Sequence, residues 1–549
     1  MQYRRVFRDD ESAPPRIWKA CIAALFVVTI FSIAFGFKLP EAKMSDPFHF
    51  GEYFVSSISL FGKEPNPQSV TIHGALDYIP DNLSKLIYGN EANFFPTWLA
   101  YRLLDLVAQC LLVGVFACVL RNAPRRTIIL MATAMTIPFM VGYRDVVLIL
   151  SILLFFIARS APAASKVAWE ASFGVVAAFG VFWSFDRGLA GTASLGLACL
   201  AGAVVGRRNI TALLSFVVAA ATLSILVPEF SFSAYWTNFR FLMATSSNWN
   251  YGWLRDPAIL IACLLTVYAY VYSLYIPVLR NPSARTIHLE PLVFLLIFGV
   301  LEFKLSTNRA DLQHILMGSW APLVLAVYWY AHLRTVPVDH QYHRLGMLLV
   351  SCILLFITAK YRTVALVPVL IVLAACLLQM TERSRNFPAL KHSLRYALLI
   401  PAVAAIFSIV SGARNGNYQW VHYLGNPPSN WSVALEGNAW AAKQLIESGA
   451  SCVLDFSNNG IINGLANLPS CTRFPYVAYA DSDYEAEMLS ALENKKPTAV
   501  VYSAQKGHFI IDKISMHEKF PQVTTYINKN YPVEVCEAGF CVRKLAGAQ

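Results

Sequence analysis

The sequence predicts a polytopic α-helical membrane protein of about 13 transmembrane helices with a C-terminal extracytoplasmic α/β domain. Composition is the first reason. The chain has 549 residues, of which 56% are hydrophobic and only 14% are charged, whereas soluble domains carry about 25% charged residues. The second reason is a series of apolar runs that, with some extension, reach the roughly 20 residues needed to cross a bilayer. A soluble enzyme and a disordered scaffold are therefore excluded.

The apolar runs predict a membrane part over residues 1–412, with a first outer loop at 38–96, and an extracytoplasmic domain over residues 413–549. The first run is not a cleavable signal peptide, because its apolar core is too long and no small-residue cleavage site follows it. The predicted spans are 16–37, 97–120, 126–141, 145–158, 172–184, 188–205, 210–227, 258–279, 292–305, 315–333, 346–359, 364–380 and 397–410.

Charge alternates along this series of spans. Every second connection is basic and nearly free of acids, and the N-terminus carries five basic residues, as expected for the cytoplasmic side of the inner membrane; the five are Arg4, Arg5, Arg8, Arg16 and Lys19. After an odd number of spans, the tail is then predicted to lie outside. Residues 413–549 hold 11 basic and 12 acidic residues, which leaves 33 basic and 21 acidic residues in the membrane part. The basic surplus therefore reflects topology, and no nucleic-acid partner is expected.

The tail combines an α/β pattern with four cysteines. Cys536 and Cys541 flank a predicted hairpin turn and are placed for a cross-strand disulfide, which leaves Cys452 and Cys471 as the second pair. Disulfides fit an oxidising compartment, and four free thiols in a reducing compartment are the alternative. No nucleotide-binding glycine motif is present, so the tail is interpreted as a binding or structural module. Helices are predicted at 434–448, 484–494 and 522–530, and strands at 452–456, 499–502, 533–535 and 542–544.

Ionisable residues in the outer loops are the functional candidates, because topology explains the inner basic residues but not compact outer groups of mixed charge. The first group follows the first span. Asp46 before a proline is also a helix N-cap signal, here for an amphipathic interfacial helix over 47–60. Capping does not explain His49 and Glu52, which are three residues apart on one helical face.

Four further groups lie on the same predicted side. For His73, in the first outer loop, a solvated histidine is the alternative interpretation. The turns at Arg144 and at Asp186–Arg187 each pair an arginine with an acid. A local cap or a self-neutralised pair would explain one such turn, but two on one side indicate a lined cavity. At the start of the tenth span an arginine and a helix N-terminus would form an anion site, and this group comprises Arg309, Asp311 and His314.

These groups suit a phosphate-bearing substrate with a carboxylate as general base. The sequence has no His-x-x-x-His pair, no zinc spacing among the tail cysteines and no hydrolase elbow. Five short segments of the outer loops, taken in order, resemble bacterial members of the GT-C type polytopic glycosyltransferases, the class that uses polyprenyl-phosphate sugars. The segments that carry this resemblance are 46–52, 73–76, 143–145, 186–188 and 309–314.

The resemblance implies inverting transfer of a hexosyl or pentosyl group from a polyprenyl-phosphate donor to a hydroxyl of a glycan, lipid or protein acceptor. Asp46 would be the general base. Arg309 and His314 would hold the leaving phosphate, helped by Arg144 or Arg187. The first outer loop lacks the acidic doublet of metal-dependent oligosaccharyltransferases, which favours a metal-free mechanism, with a divalent metal as the alternative. The residues that would position sugar or acceptor are His49, Glu52, His73, Asp186 and Asp311.

Two other functions stay open at this stage. O-antigen-type polymerases and ligases also use outer arginines and histidines on lipid-linked glycans. They usually place their large polar loop between late helices, whereas here it follows the first helix. A lipid or glycan transporter would carry polar residues or broken helices at mid-membrane, and the Gly/Pro interruption at 136–138 keeps that alternative.

Overall fold

The computed structural model describes residues 47–62, 69–88, 94–121, 130, 141–206, 209–245, 282–308, 318, 320–332, 419–429, 431, 434–457, 460–503 and 515–547. The predicted spans at 16–37, 126–141, 258–279, 346–359, 364–380 and 397–410 lie wholly or almost wholly outside these residues. Asp46, Arg309, Asp311 and His314 lie outside them as well. The backbone at His49 and Glu52 is helical, but their side chains are outside the described part.

The described membrane part is helical, and seven of its helices coincide with predicted spans. The helices are α1 (Pro47–Phe61), α2 (Ile79–Tyr88), α3 (Phe94–Val119), α4 (Val146–Ser160), α5 (Ala163–Trp183), α6 (Phe185–Val204), α7 (Ile210–Leu226), α8 (Phe232–Thr245), α9 (Pro282–Asn308) and α10 (Trp320–His332). Helices α3 to α7, α9 and α10 fall on predicted spans, and α5 and α9 extend well beyond their apolar runs. Among the described helices, α3, α5 and α6 are long and apolar enough to cross a membrane.

One apolar cluster joins the helices α3 to α6, α9 and α10. The rings of Phe155 on α4 and Phe294 on α9 stack with centroids 4.6 Å apart, and Phe298 packs on Trp320 of α10 at 4.8 Å. Helix α5 approaches α7 at backbone distance, since a Cβ on Gly174 would lie 2.2 Å from a carbonyl oxygen of α7. Small residues allow such close approach between membrane helices.

Helix α2 turns its polar residues inward and its apolar residues outward. Asp81 is buried, accepts a hydrogen bond of 2.5 Å from the Thr97 hydroxyl and pairs with Lys85 Nζ at 2.6 Å. Leu86 and Ile87 on the opposite face are 80% and 75% exposed. An outward apolar face of this kind suits a helix that lies in the membrane interface.

The tail forms a sheet with helices on both faces, and its four strands are β1 (Leu454–Asp455), β2 (Ala499–Ser503), β3 (Val533–Glu537) and β4 (Phe540–Lys544). Strand order is β1-β2-β4-β3, with β1 parallel to β2, and β4 antiparallel to both β2 and β3. Val500 and Val501 are neighbours on β2, and their side chains pack in two different apolar clusters. This is expected because successive side chains along a strand point to opposite faces of the sheet. Each predicted helix and strand is present within two residues at either end. The helices of the tail are α11 (Glu436–Glu447), α12 (Ile461–Ala466), α13 (Glu485–Lys495), α14 (Met516–Lys519) and α15 (Pro521–Asn530).

Helix α1 has the predicted extent but a different environment. The sequence predicts an amphipathic interfacial helix, whereas residues 53–59 are all buried. The tail covers one side, since a Cβ on Gly51 would lie 2.7 Å from the backbone nitrogen of Gly460, just before α12. On another side Phe54 meets Phe94 of α3 edge to face at 4.5 Å. The partner that buries α1 lies about 400 residues away in the sequence, so the pattern within the loop could not reveal it.

Both predicted disulfides are present in the tail. Cys452 and Cys471, separated by 19 residues, are bonded between the start of β1 and the connection after α12. Cys536 and Cys541, separated by five residues, are directly paired across the β3–β4 hairpin. The first bridge closes the longer loop and is buried.

Replacing Cys452 and Cys471 by alanine is expected to destabilise the tail by about 3 kcal/mol, against about 2 kcal/mol for replacing Cys536 and Cys541. The difference arises because the entropy that a bridge removes from the unfolded chain grows with loop length. Urea midpoints from pulse proteolysis of the tail in the full-length protein would measure both effects. An equal or larger loss for the hairpin pair would contradict this expectation.

Candidate functional site

The loop between α1 and α2 holds His73 on a tightly bonded turn. The fully buried Asp77 bonds His73 Nδ1 through Oδ1 at 2.8 Å, and its Oδ2 accepts the backbone N–H groups of Ile72 at 2.8 Å and His73 at 2.9 Å. Gly74 has a φ of +97°, and a Cβ there would lie 2.6 Å from the carbonyl oxygen of Phe182. His73 is thus buried and held in one orientation rather than solvated.

The turn Tyr143–Asp145 is anchored to α3. The backbone N–H of Tyr143 donates to Asp105 Oδ1 at 2.7 Å, and Arg102 pairs with Oδ2 of the same carboxylate at 2.9 Å. Asp145 closes the turn by accepting the N–H of Gly142 at 3.1 Å. The turn is therefore fixed on both sides, and it places Arg144 and Asp145 at the start of α4.

The start of α6 joins these two loops. The backbone N–H of Phe185 donates to the carbonyl oxygen of His73 at 3.1 Å. The neighbouring Asp186 interacts electrostatically with Arg187, His73 and Arg144. The structure thus brings together four predicted site residues that come from three separate loops.

Arg187 lies at the centre of a group of three carboxylates, of which Glu302 and Asp145 are buried and Asp186 is half-buried. Its guanidinium contacts Glu302 of α9, which is fully buried, and its Nε lies 3.4 Å from Asp145 and 3.9 Å from Asp186. Buried charges need partners, so Arg187 holds these acids together. Among the described residues Arg187 contacts carboxylates, and its role toward a phosphate stays a prediction. We refer to His73, Asp77, Arg144, Asp145, Asp186, Arg187 and Glu302 as the loop cluster.

Sequence reasoning missed Glu302 as a site residue. It lies within the span 292–305, which the sequence predicts from its hydrophobicity. The available signal was that Glu302 is the sole acid in this span, since an ionisable residue within a membrane segment is a functional candidate.

Three tyrosines tie α1 to the loop cluster. The ring of Tyr53 stacks on Tyr101 of α3 at 4.0 Å, and its hydroxyl is hydrogen-bonded to that of Tyr143. The hydroxyl of Tyr101 donates to the carbonyl oxygen of Leu76 at 2.7 Å. Tyr53 lies in the second turn of α1, the helix that begins directly after Asp46 in the sequence. Helix α1 is therefore attached to the turn that carries Arg144, and α3 is attached to the segment between His73 and Asp77.

A second buried ion pair joins α4 to α9 away from the loop cluster. Arg159 contacts Glu290, which also accepts a hydrogen bond of 2.5 Å from the side-chain amide of Asn209. Glu290 and Glu302 are twelve residues apart on α9, which corresponds to about 18 Å along a helix. The two ion pairs therefore join α9 to two different helices, α4 and α6, at two well-separated levels.

One group of metal-ligand side chains is close enough to hold an ion among the described residues. It consists of Glu534, Cys536 and Cys541. Because the two cysteines form a disulfide, neither can act as a thiolate ligand. In the loop cluster, Asp145, Asp186 and Glu302 are instead paired with Arg187, and Asp77 is paired with His73.

Comparison with known proteins gives structural similarity without sequence similarity. No protein-family model matches the chain, and no curated protein matches it. A crystal structure of ArnT from Cupriavidus metallidurans bound to undecaprenyl phosphate is similar with a TM-score of 0.46 and 11% identity, covering 97% of this chain and 99% of that chain. The apo structure of ArnT has a TM-score of 0.45 and 13% identity, covering 95% and 97%. The chain is thus similar to ArnT along nearly its whole length, at low sequence identity.

Proposed function

We propose that this protein is a GT-C type inverting glycosyltransferase that transfers a sugar from a polyprenyl-phosphate donor to an acceptor hydroxyl at the outer face of the cytoplasmic membrane. The observation that carries the proposal is the loop cluster. Its residues come from four segments between positions 73 and 302, and they gather at the ends of helices α4 and α6. Charges concentrated at helix ends suit a substrate whose phosphate lies at the membrane surface.

Contacts between the tail and the first outer loop support an outer location for both. The N–H of Val70 donates to the carbonyl oxygen of Arg473 at 2.8 Å, and the N–H of Ser470 donates to the Ser59 hydroxyl at 3.2 Å. Two segments in such contact lie on one side of the membrane helices. The tail disulfides fit an oxidising compartment on that side. We therefore keep the division into a membrane module, residues 1–412, and an outer domain, residues 413–549, as part of the proposal.

In the proposed reaction the Asp46 carboxylate removes the proton of the acceptor hydroxyl. The hydroxyl oxygen forms a bond to the anomeric carbon of the sugar, and the bond from that carbon to the phosphate oxygen breaks. The bonding electron pair leaves with polyprenyl phosphate, and attack from the opposite face inverts the anomeric centre. Cations that contact the departing phosphate more strongly as its charge develops raise the rate.

The contacts of the loop cluster divide the two described arginines into different roles. Arg187 is committed to Glu302, Asp145 and Asp186, so we assign it to positioning the acids. Arg144 lies beside Asp145 and Asp186 and is kept as a proposed phosphate ligand. The further proposed phosphate ligands are Arg309 and His314, and the proposed sugar- or acceptor-positioning residues are His49, Glu52, His73, Asp186 and Asp311.

His73→Gln and Asp77→Asn are each expected to lower kcat/KM by up to about 10²-fold, because Asp77 fixes the orientation of the His73 ring. Residues that act as a unit show non-additive losses, so the double variant should be no slower than the slower single variant. Kinetics of sugar transfer for the three variants would test this. Asp81→Asn is the control, since Asp81 is equally buried but pairs with Lys85 outside the cluster. If the decreases in kcat/KM of the two single variants multiply in the double variant, His73 and Asp77 do not act as a unit.

The proposed function is tested by incubating the purified full-length protein with radiolabelled polyprenyl-phosphate sugars and an envelope extract as the acceptor pool. We expect label to move from the lipid to an acceptor, with an anomeric configuration opposite to that of the donor. Transport of the donor across vesicles without cleavage would instead indicate a transporter. Absence of transfer from every hexosyl and pentosyl donor would contradict the proposal.

A further inference from the structure

The apolar core of the tail includes side chains that belong to the membrane part. The cluster on one face of the sheet, around Val500 and Val523, also contains buried side chains from α1, from the segment before His73 and from α8. These side chains are Val55, Val70, Ile72 and Phe241. Because apolar side chains are stabilised by leaving water, the tail and the first outer loop hold each other in place through this cluster.

The segment that leads into His73 is also held through its backbone. Residues 70, 71 and 72 each donate their N–H group, and the acceptors belong to three different elements. In order, the acceptors are the carbonyl oxygen of Arg473 in the tail at 2.8 Å, Oδ1 of Asn238 on α8 at 3.1 Å and Oδ2 of Asp77 at 2.8 Å. The contact with the tail is thus three residues away from His73, whose ring is bonded to the same Asp77 carboxylate.

Arg473 is itself fixed by both α8 and the tail. Its guanidinium carbon lies 4.7 Å from the ring centroid of Phe474 and 6.0 Å from that of Phe241, and its Nη2 pairs with Glu487 at 3.0 Å. The two phenylalanine rings also contact each other, with centroids 5.4 Å apart. A cation over an aromatic face is attracted by the ring. The residue that accepts the N–H of Val70 is therefore held where α8 meets the tail.

The tail also contacts α1, through the loop that the first disulfide closes. A Cβ on Gly460 would lie 2.4 Å from the carbonyl oxygen of Gly51, so the two backbones are in direct contact. About two turns further along α1, the hydroxyl of Ser59 accepts the N–H of Ser470. Tyr53, which attaches α1 to the turn at the start of α4, lies between these two contacts. The tail thus fixes the helix that supports this turn.

We propose that the tail is a positioning element of the site, which holds His73 through Val70 and Ile72 and holds α1 through Gly460. The residues of the loop cluster all precede the tail in the sequence, so the tail acts on them through these contacts. A misplacement of about 1 Å can lower a rate by about 10²-fold, which makes such an attachment matter for turnover. The effect on turnover rests on the proposed glycosyl transfer, whereas the attachment itself does not.

The first test is Gly460→Ala in the purified full-length protein. The added Cβ meets backbone atoms of Gly51, which no side-chain rotation can relieve, so α1 and the tail must move apart. We expect faster hydrogen exchange of α1, measured by mass spectrometry, and a kcat about 10–10²-fold below that of the wild type with little change in donor KM. Gly425→Ala is the matched control, because a Cβ at that position of the tail meets nothing within 4 Å.

A second pair of variants separates positioning from general stability. Val70→Ala and Val523→Ala each shorten a buried valine of the same apolar cluster, one in the first outer loop and the other on α15. We expect both to lower the urea midpoint of the tail in pulse proteolysis, because both remove buried methyl groups. Only Val70→Ala should also speed hydrogen exchange of residues 70–78 and lower kcat of the folded protein.

Hydrogen exchange of α1 and kcat that are the same in Gly460→Ala and Gly425→Ala would overturn the inference, and so would equal losses of kcat in the two valine variants. If the wild type transfers no sugar, the proposed function fails, and hydrogen exchange still decides whether the tail holds α1 and the segment before His73. If the wild type transfers sugar and exchange rises in Gly460→Ala and Val70→Ala without any loss of kcat, the positioning role fails while the proposed function stands.

Discussion

Asp46→Asn is expected to lower the turnover number by about 10²–10⁴-fold, with little change in affinity for the polyprenyl-phosphate donor. The amide keeps the size of the side chain but cannot accept the proton of the acceptor hydroxyl. Donor binding depends instead on cations around the phosphate, which the substitution leaves in place. Single-turnover transfer and equilibrium binding of labelled donor would measure the two effects separately.

The matched control for Asp46 is Asp483→Asn, which removes one carboxylate from an exposed position in the tail and is expected to leave transfer unchanged. It corrects for any general effect of changing the net charge by one unit. Transfer by Asp46→Asn at the wild-type rate would remove Asp46 from the role of base. The attachment of α1 to the loop cluster through Tyr53 would then have to serve positioning alone.

Arg187→Gln is expected to destabilise the membrane module by about 3–5 kcal/mol and to abolish transfer. The substitution leaves Glu302 and Asp145 buried without the cation that they share, and breaking a buried ion pair on one side is strongly destabilising. Thermal unfolding in detergent, followed together with transfer activity, would measure this. Unchanged thermal stability would mean that Arg187 does not hold the acids together.

Arg159→Gln separates stability from activity. It breaks the ion pair with Glu290 on the same helix α9, about 18 Å from Glu302, so it should lower the unfolding temperature while leaving kcat of the folded protein unchanged.

Conversely, the double variant Arg187→Met with Glu302→Leu should regain part of the stability that Arg187→Gln loses without regaining activity, because apolar replacement of a buried pair is often tolerated. Activity lost in proportion to stability in every variant would contradict a positioning role for Arg187.

Much of the fold follows from local sequence patterns. The spans at α3 to α7 and the tail elements could be predicted because each has its own apolar periodicity and its own breaks. The environment of α1 could not, since its burial depends on Gly460 and the tail rather than on residues 47–60. The inward polar face of α2 likewise depends on Thr97 in another helix.

The candidate site was predictable where acids, bases and histidines collect in short loops. His73, Arg144, Asp186 and Arg187 lie close together because the loop that carries His73 is bonded to Phe185 at the start of α6, next to the turn that carries Arg144. The partner of Arg187 was not predictable in the same way, since Glu302 lies in a span and only the packing of α9 on α6 brings the two together.

The most direct test of the account measures what happens to the donor lipid. Purified wild-type protein and Asp46→Asn would be incubated with a polar lipid extract of the native envelope, and released polyprenyl phosphate would be quantified by mass spectrometry. We expect release by the wild type, matched mole for mole by glycosylated acceptor, and a loss of about 10²-fold or more in the variant. No release by the wild type, or equal release by both proteins, would contradict it.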